Sequence, residues 1–407
     1  MNKFTYEDVI SKYKEEDYFD KIIIKVNIEI NDPHKGNVAS YKIDNLELKI
    51  DDNFKNEKLL KKVERIKKDI ENDIISYRSN NNKEWNIFYL YKEFFQKLEE
   101  DFNYYRGQCT DWEMLPGIIR ENVNTKLRND FEFIYQDVMY RYPDVIKYYP
   151  PIAKSKIINK REQQLAHLQH YGLKTSLIDI TENPYIALLF MVSDTSKKDF
   201  KNAIIDFYSI NQMVHTEKNL FSRVKMLKSN SRLIAQKGAF FNFDKIALRD
   251  LPTQIHKIPL VRLQLSFNFK ELEKTSKLLE DSNVKLERLN KKLYDADKIE
   301  NIESKVLRDL FEQQKYRKEL KTEINSLKKY FDDILLDSIR FQIKSKLSEY
   351  HYIESELFPD LYKYIGYIQS GYDSDKDIKK PNLENIDDKS QNTKQNLRKL
   401  LNKENKS

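Results

Sequence analysis

Two segments near the start of the chain alternate apolar and polar residues. In residues 21–30 (KIIIKVNIEI) every second side chain from Ile22 onward is apolar, and residues 41–50 (YKIDNLELKI) show a similar pattern. A period of two is typical of a half-buried β-strand. The turn-rich NDPHKGN between the two segments therefore predicts a β-hairpin. Further strands are predicted around 104–106 and at 202–210 and 258–265.

Other segments carry apolar residues at steps of three and four, which is the spacing of an amphipathic helix. Gly172 stands where a glycine commonly ends a helix, and Pro184 stands near a helix start, where proline is tolerated. The helices predicted before residue 200 are 56–78, 85–100, a stretch from about 121 to 147, 160–172 and 183–194.

Residues 270–335 have a seven-residue repeat. Its first half places leucines at 272, 279, 286 and 293, and an apolar stripe from Val306 to Ile334 forms its second half. The polar DADKIEN separates the two halves. The pattern predicts two antiparallel helices forming a coiled-coil hairpin, and a single dimerising helix is the alternative. Such a stripe is a packing seam, so we assign it no chemistry.

The fold class expected from these elements is α+β. Polar boundaries at SNNNKE and after the last predicted strand divide the chain, and the residues after Ser370 are charged and nearly free of aromatic residues, which predicts a disordered tail. The predicted divisions are a small N-terminal α/β module (1–80), a mixed domain in two parts (81–268 and 336–371), the helical insertion (269–335) and the tail (372–407).

Composition narrows the class of protein. The chain has 407 residues and a net charge of +7 from 72 basic and 65 acidic residues, which are interspersed, so charge does not favour a nucleic-acid-binding protein. No apolar run is long enough to predict a membrane span, and the charged start is unlike a signal peptide. The single cysteine, Cys109, fits a reducing cytoplasm. Abundant Lys, Asn, Ile and Tyr suggest a bacterial source.

Three glycine-containing stretches hold the candidate chemistry: residues 104–120 (YYRGQCTDWEMLPGIIR), 165–191 and 230–243. The chain has no Walker loop, GxGxxG, HExxH or CxxC motif. His167 and His170 have a helical metal-ligand spacing but lack an obvious third ligand, so no metal is predicted. Cys109 shows no local sign of activation as a nucleophile.

Together these stretches resemble the FRG domain, a family named for an aromatic-Arg-Gly start. The resemblance rests on YRG with the later Trp and LPGIIR, on HYGLKTSLIDIT, on SRLIAQKGAFF and on the closing LFPDL (357–361). It covers roughly residues 85–268 and 336–368. The helical hairpin then becomes an insertion before the last motif, which a compact version of the domain lacks.

The order of the motifs is also similar to that of ADP-ribosyltransferases of the arginine-serine-glutamate type. Arg106-Gly107 matches the first strand, and Asp179-Ile180-Thr181 followed by Ala187-Leu-Leu-Phe190 matches the second strand and its helix. This resemblance implies NAD as substrate. Its third strand requires a glutamate, and this chain has Arg232 at that spacing.

The resemblance implies roles for nine residues. Arg106 and Gly107 would hold phosphate or ribose, Tyr105 or Tyr171 would stack on the nicotinamide ring, and Thr175 and Thr181 would line the ribose side. Asp179 or Gln236 would orient the attacked centre, and His170 would act as a base or orienting group. The alternative is structural: Asp179 or Thr181 simply caps the following helix, and His170 packs at a helix end.

The expected function is NAD-dependent ADP-ribosyl transfer or NAD cleavage on an unknown intracellular macromolecule, as a cytoplasmic bacterial toxin or phage-defence effector. The alternative is a non-enzymatic module that binds a nucleotide or ADP-ribose, whose hairpin recruits a coiled-coil partner or a second copy of the chain. Turnover of NAD separates the two. Fold-level likeness does not decide between them.

Overall fold

The fold is built on a mixed β-sheet whose strands come from both ends of the chain. The computed structural model describes residues 4–31, 41–50, 54–81, 85–193, 197–223, 235–248, 255–296 and 304–354. Within them the sheet has eight strands in the order β2-β1-β8-β5-β3-β4-β7-β6. The strands are β1 (Phe19–Ile30), β2 (Tyr41–Ile50), β3 (Tyr104–Gln108), β4 (Leu177–Thr181), β5 (Ile204–Tyr208), β6 (Phe221–Ser222), β7 (Gly238–Asn242) and β8 (Ile258–Asn268).

Helices cover both faces of this sheet. They are α1 (Tyr6–Lys12), α2 (Glu15–Tyr18), α3 (Glu57–Asn81), α4 (Ile87–Leu98), α5 (Thr125–Asn129), α6 (Phe131–Arg141), α7 (Ser155–His170), α8 (Pro184–Ser193), α9 (Gln212–Lys218), α10 (Asp244–Leu248), α11 (Lys270–Ala296), α12 (Ser304–Lys329) and α13 (Leu336–Ser348). A π-helical turn, Tyr330–Leu335, joins α12 to α13. None of the helices in the described ranges is long and apolar enough to cross a membrane.

The first 80 residues do not form a sheet of their own. Strand β1 pairs with β2 in the predicted antiparallel hairpin, and its other edge pairs in parallel with β8 from Phe19↔Ile258 to Glu29↔Asn268. The other strand pairs of the sheet are antiparallel. The described residues up to 354 belong to one compact unit. The expected small N-terminal module is therefore structurally continuous with the strands that follow it.

Side-chain parity on the strands separates two apolar cores. On one face Tyr105 joins a core shared with α3, α4, α8 and α13, and on the other Tyr104 joins a core shared with α1 and α7. Because neighbouring residues of a strand point to opposite faces, one strand serves both cores. The predicted helical stretch of 121–147 is in fact two helices, α5 and α6, which meet at Asp130.

The two long helices α11 and α12 lie antiparallel. The ring of Phe269, just before α11, contacts that of Phe331, just after α12, and Gln313 Nε2 donates to Ser282 Oγ at 2.8 Å midway along both helices. Only Leu286 of the four predicted leucines is buried, because the seam also uses the positions three residues after Leu272, Leu279 and Leu286. Its buried members are Thr275, Ser282, Leu286 and Leu289 of α11 and Leu310, Gln313, Leu320, Ile324 and Leu327 of α12.

Two predicted segments lie outside the described residues. These are the closing LFPDL motif at 357–361 and the tail at 372–407. The motif that was matched to the third strand is described only from residue 235 onward, where Gly238 begins β7.

Candidate functional site

A cleft opens where strands β3 and β4 part. The two strands share the single bridged pair Tyr105↔Thr181. Beyond it β3 continues alongside β5 and β4 alongside β7, so the two strands form a fork. A cavity of about 230 Å³, the fork cleft, lies in this opening. Its described lining is Tyr105, Arg106, Gly107, Gln108, Cys109, Trp112, Arg120, Asp179, Ile180, Thr181, Phe190, Gln236 and Gly238.

Arg106 spans the fork. Its Nη1 donates to the backbone oxygen of Asp179 at 2.7 Å, which joins β3 to β4 where their backbones no longer pair. Its Nε is buried and has no hydrogen-bond partner. A buried donor without a partner is costly, so the guanidinium is suited to an anionic ligand that supplies an acceptor.

A second guanidinium, that of Arg120, lines the same cleft. Burial, and then the positive charge of Arg106, lowers the pKa of Arg120. Its Nε donates to Leu115 O at 3.1 Å, while Arg128 Nη2 donates to the backbone oxygen of Arg120 at 2.9 Å. Within the described residues neither Arg106 nor Arg120 forms an ion pair with a carboxylate. The cleft therefore holds two like charges that favour an anion.

Asp179 brings a carboxylate to this cleft from β4. Its Oδ2 accepts a hydrogen bond from Gln169 Nε2 at 2.7 Å. The oxygen of the same Gln169 amide accepts from the hydroxyl of Thr175. An amide held at both ends has a fixed orientation, so Thr175 and Gln169 together position the Asp179 carboxylate. Thr175, predicted to contact the cofactor, is buried and absent from the cleft lining.

Gly107 is explained by packing. A Cβ at this position would lie 1.8 Å from the backbone oxygen of Ala187 in α8 and 3.1 Å from the Cβ of Met191. The glycine therefore admits a helix to the strand. This contact also gives a physical basis for the pairing of the Arg-Gly and Ala-x-x-Phe motifs in space. Ala187 faces Gly107, and Phe190 lines the cleft.

The hydroxyl of Thr181 is already occupied. It donates to the backbone oxygen of Gln236 at 2.7 Å and accepts from the backbone N–H of Asn183 at 3.0 Å. Helix α8 is capped by Asn183, whose Oδ1 accepts from the N–H groups of Tyr185 and Ile186. The alternative prediction, that Asp179 or Thr181 caps this helix, is wrong, because Asn183 is the capping residue. Thr181 holds the turn between β4 and α8 against the segment before β7.

Neither predicted stacking tyrosine offers its ring to the cleft. Tyr105 is 4% exposed, its ring packs edge-on against Phe95 and Phe207, and its hydroxyl donates to Phe102 O at 2.8 Å. Tyr171 lies outside the lining, with its ring 5.2 Å from that of His167. The prediction that Tyr105 stacks on a ligand ring is wrong because its side chain lies on the face of β3 that packs into the core. The aromatic side chains left to line the cleft are Trp112 and Phe190.

Of the remaining predicted residues, some line the cleft and others do not. Gln236 lines the cleft, whereas His170 does not; it lies at the end of α7, with its ring 6.5 Å from that of His167. Arg232, at the position expected for a glutamate, is outside the described residues. In the part of the chain that the structure describes, no group of three or more His, Cys, Asp or Glu residues could hold a metal ion.

Sequence reasoning missed several lining residues, above all Arg120 and Trp112. Both belong to the quoted stretch YYRGQCTDWEMLPGIIR, but nothing in their spacing shows that the chain returns to the cleft after leaving β3. The return depends on Arg128, whose Nε and Nη2 donate to the backbone oxygens of Ile118 and Arg120. It also depends on the N–H of Ile118, which donates to Thr175 O at 3.1 Å.

Comparison with known proteins gives one finding. No curated protein and no solved structure matches the chain significantly. The family model of the FRG domain matches residues 102–200. That range contains β3, β4 and α8, and it includes both cleft arginines, Trp112 and Asp179. The segment that supplies most of the described cleft lining therefore matches the FRG domain family.

Proposed function

We propose that the fork cleft binds NAD and that the chain uses it for ADP-ribosyl transfer or NAD cleavage on an intracellular target. The observation that carries the proposal is the pair of guanidinium groups, Arg106 and Arg120, which line one cleft with the carboxylate of Asp179. Arginine forks match the oxygens of phosphate groups, and a pyrophosphate supplies several such oxygens.

The carboxylate fits the reaction that would follow. The bond between ribose C1′ and the nicotinamide nitrogen breaks, nicotinamide leaves with the bonding electron pair, and the ribose develops positive charge. A carboxylate near that carbon stabilises an oxocarbenium-like transition state, as in glycosyl transfer. Attack by water then gives ADP-ribose, nicotinamide and a proton. Attack by a nucleophile on a macromolecule gives the transferred product and likewise releases a proton.

A second candidate is a binding module that holds NAD or ADP-ribose without turnover. The composition of the cleft favours it, since Asp179 supplies the carboxylate of the described lining and Gln236 supplies an amide, which carries no charge. In this case the helices α11 and α12 would present the module to a coiled-coil partner or a second copy. The predicted setting, a bacterial toxin or phage-defence effector, rests on the resemblance alone.

The test is incubation of the purified protein with NAD labelled on the adenosine side, with and without cell lysate. Nicotinamide release and label on macromolecules are followed together. Arg106→Ala and Asp179→Asn are compared with Arg308→Ala, an arginine whose side chain is 81% exposed on α12. Activity lost in the first two variants and kept in the control supports the enzyme.

Each pattern of signals has one meaning. Labelled macromolecules identify a transferase, and nicotinamide release without label transfer identifies a glycohydrolase. No release, together with NAD binding that is lost in Arg106→Ala, identifies the binding module. If neither nicotinamide release nor NAD binding is detected, the proposal is refuted.

A further inference from the structure

We infer that Trp112 and Phe190 form a ring subsite beside the two arginines of the fork cleft. The ligand of the cleft would then be a nucleotide whose planar ring stacks on Trp112 while its phosphate groups lie on Arg106 and Arg120. The inference deepens the proposed function and rests on it for the choice of NAD as first ligand. The ring subsite itself is argued from the position, exposure and anchoring of Trp112.

Trp112 is held in place by the residue before it. The carboxylate of Asp111 accepts from Arg262 Nη1 at 2.7 Å and from Gln264 Nε2 at 3.1 Å, both on β8. Arg262 is 3% exposed and is fixed in turn by the fully buried Asp206. The loop after β3 is therefore tied to a central strand, and Trp112 enters the cleft from a rigid support.

Trp112 is nevertheless 41% exposed. In the described part of the chain its ring contacts no other aromatic ring, whereas Tyr104, Tyr105 and Tyr208 of the neighbouring strands all do. A large apolar ring that is exposed in a cavity, on a loop held in place through Asp111, is typical of a recognition site. Stacking on such a ring tolerates any planar partner, since every base has a π-face.

The size of the cleft limits what it encloses. Ligand pockets that bury a drug-sized molecule have volumes of roughly 300–1,000 Å³, and the fork cleft has about 230 Å³. It therefore takes one ring with its adjacent phosphate groups, and the second half of a dinucleotide extends beyond the described lining. ADP and nicotinamide mononucleotide carry one aromatic base each, so comparing them shows which base occupies the subsite.

The chain offers a direct probe, because Trp85 is its only other tryptophan. Trp85 lies just before α4, with its ring 6.2 Å from that of Tyr77, and it does not line the cleft. The variant Trp85→Phe makes Trp112 the sole indole. Its emission is titrated with NAD, ADP, nicotinamide mononucleotide and inorganic pyrophosphate, and calorimetry reports binding independently.

We expect the nucleotide that fits the subsite to quench the emission of Trp112. Pyrophosphate should bind without comparable quenching. Trp112→Ala should lower the affinity for that nucleotide about tenfold or more. Trp112→Phe should bind it nearly as well as wild type, and the affinity for pyrophosphate should not change in either variant. Tyr140→Ala, an aromatic 82% exposed on α6, is the matched control.

The outcomes separate the inference from the function. NAD that binds and turns over with unchanged Trp112 emission and unchanged affinity in Trp112→Ala overturns the ring subsite alone. Quenching by ADP or nicotinamide mononucleotide without binding or turnover of NAD supports the subsite and overturns the proposed function. Absence of binding by all four ligands overturns both.

Discussion

The backbone oxygen of Ala187 lies directly over Gly107. Strand β3 and helix α8 approach so closely at this point that a methyl group on the glycine would meet the oxygen at 1.8 Å. The obstacle is backbone, which cannot rotate aside as a side chain does. The strand that carries Arg106 and the helix that carries Phe190 are thus closely packed at this position.

We predict that Gly107→Ala destabilises the protein by about 1–3 kcal/mol, the usual cost of forcing extra atoms into a packed core, or by more because backbone must move. Urea unfolding measures the loss. Gly117→Ala is the matched control, since its Cβ would make an ordinary contact of 3.4 Å with the Cβ of Lys174. Equal losses in the two variants would contradict the packing explanation.

The buried ion pair between Arg262 and Asp206 gives a second prediction. Burial alone would lower the pKa of Arg262, but the Asp206 carboxylate, bonded to Nε at 2.7 Å and Nη2 at 2.9 Å, raises it instead. Asp206→Asn leaves that buried charge with Asp111 alone. We expect a loss of about 3 kcal/mol in the free energy of unfolding.

The control for this pair is Glu312→Gln, which breaks the exposed pair Arg308–Glu312 on α12. Exposed helix pairs contribute only about 0.3–0.5 kcal/mol. A loss in Asp206→Asn no larger than in the control would show that the buried pair contributes no more to stability than an exposed pair.

His215 gives a prediction for pH. Burial, and then the charge of His256, lowers the pKa of His215 from 6.5 to about 4. Its Nδ1 accepts the backbone N–H of Asn211 at 3.0 Å, which requires an unprotonated nitrogen. The unfolded chain therefore binds a proton at a pH where the folded chain does not, and stability falls as pH drops from 6.5 towards 4.

The measurement is the free energy of unfolding between about pH 4.5 and pH 7.5. In His215→Gln the slope below pH 6.5 should become smaller, with a remainder from His167, whose pKa burial also lowers. His351→Asn, an exposed histidine at φ 61° that asparagine tolerates, should keep the full slope. An unchanged slope in His215→Gln would assign the pH dependence to other groups.

Gln169 gives a prediction for catalysis. Gln169→Leu removes the donor to Asp179 Oδ2 without touching either arginine. If the carboxylate acts on the ribose, the turnover number for NAD should fall about tenfold while KM stays near wild type, because a misplaced group costs rate rather than affinity. Gln96→Leu, on the exposed side of α4, is the control. Loss of affinity without loss of turnover would assign Gln169 to binding.

Local patterns predicted most of the elements. The alternation in residues 21–30 and 41–50 corresponds to β1 and β2, and Gly172, at φ 96°, follows α7 as expected. These features depend on neighbours along the chain, so a single sequence contains them. The heptad spacing likewise indicated the region of α11 and α12, although the seam positions Thr275, Ser282 and Gln313 were missed because they are polar.

Long-range pairing could not be predicted. Nothing in the sequence shows that β1 lies beside β8, more than 200 positions away, since the pattern of each predicts only a strand and not its neighbour. The cleft was predictable in part: Arg106 stood out through its pairing with Gly107, and Asp179 stood out as a polar residue in an otherwise apolar segment. Arg120 and Trp112 did not, because their position depends on the loop contacts of Arg128 and Asp111.

The seam between α11 and α12 limits how the length of these helices can vary. Buried positions recur every seven residues in both helices, at Thr275, Ser282 and Leu289 in α11 and at Gln313, Leu320 and Leu327 in α12. Removing residues from one helix alone would bring Ser282 opposite an apolar side chain and leave the Gln313 amide without its partner. Insertions and deletions are therefore tolerated only as paired heptads, and related chains should differ in this region by multiples of about fourteen residues.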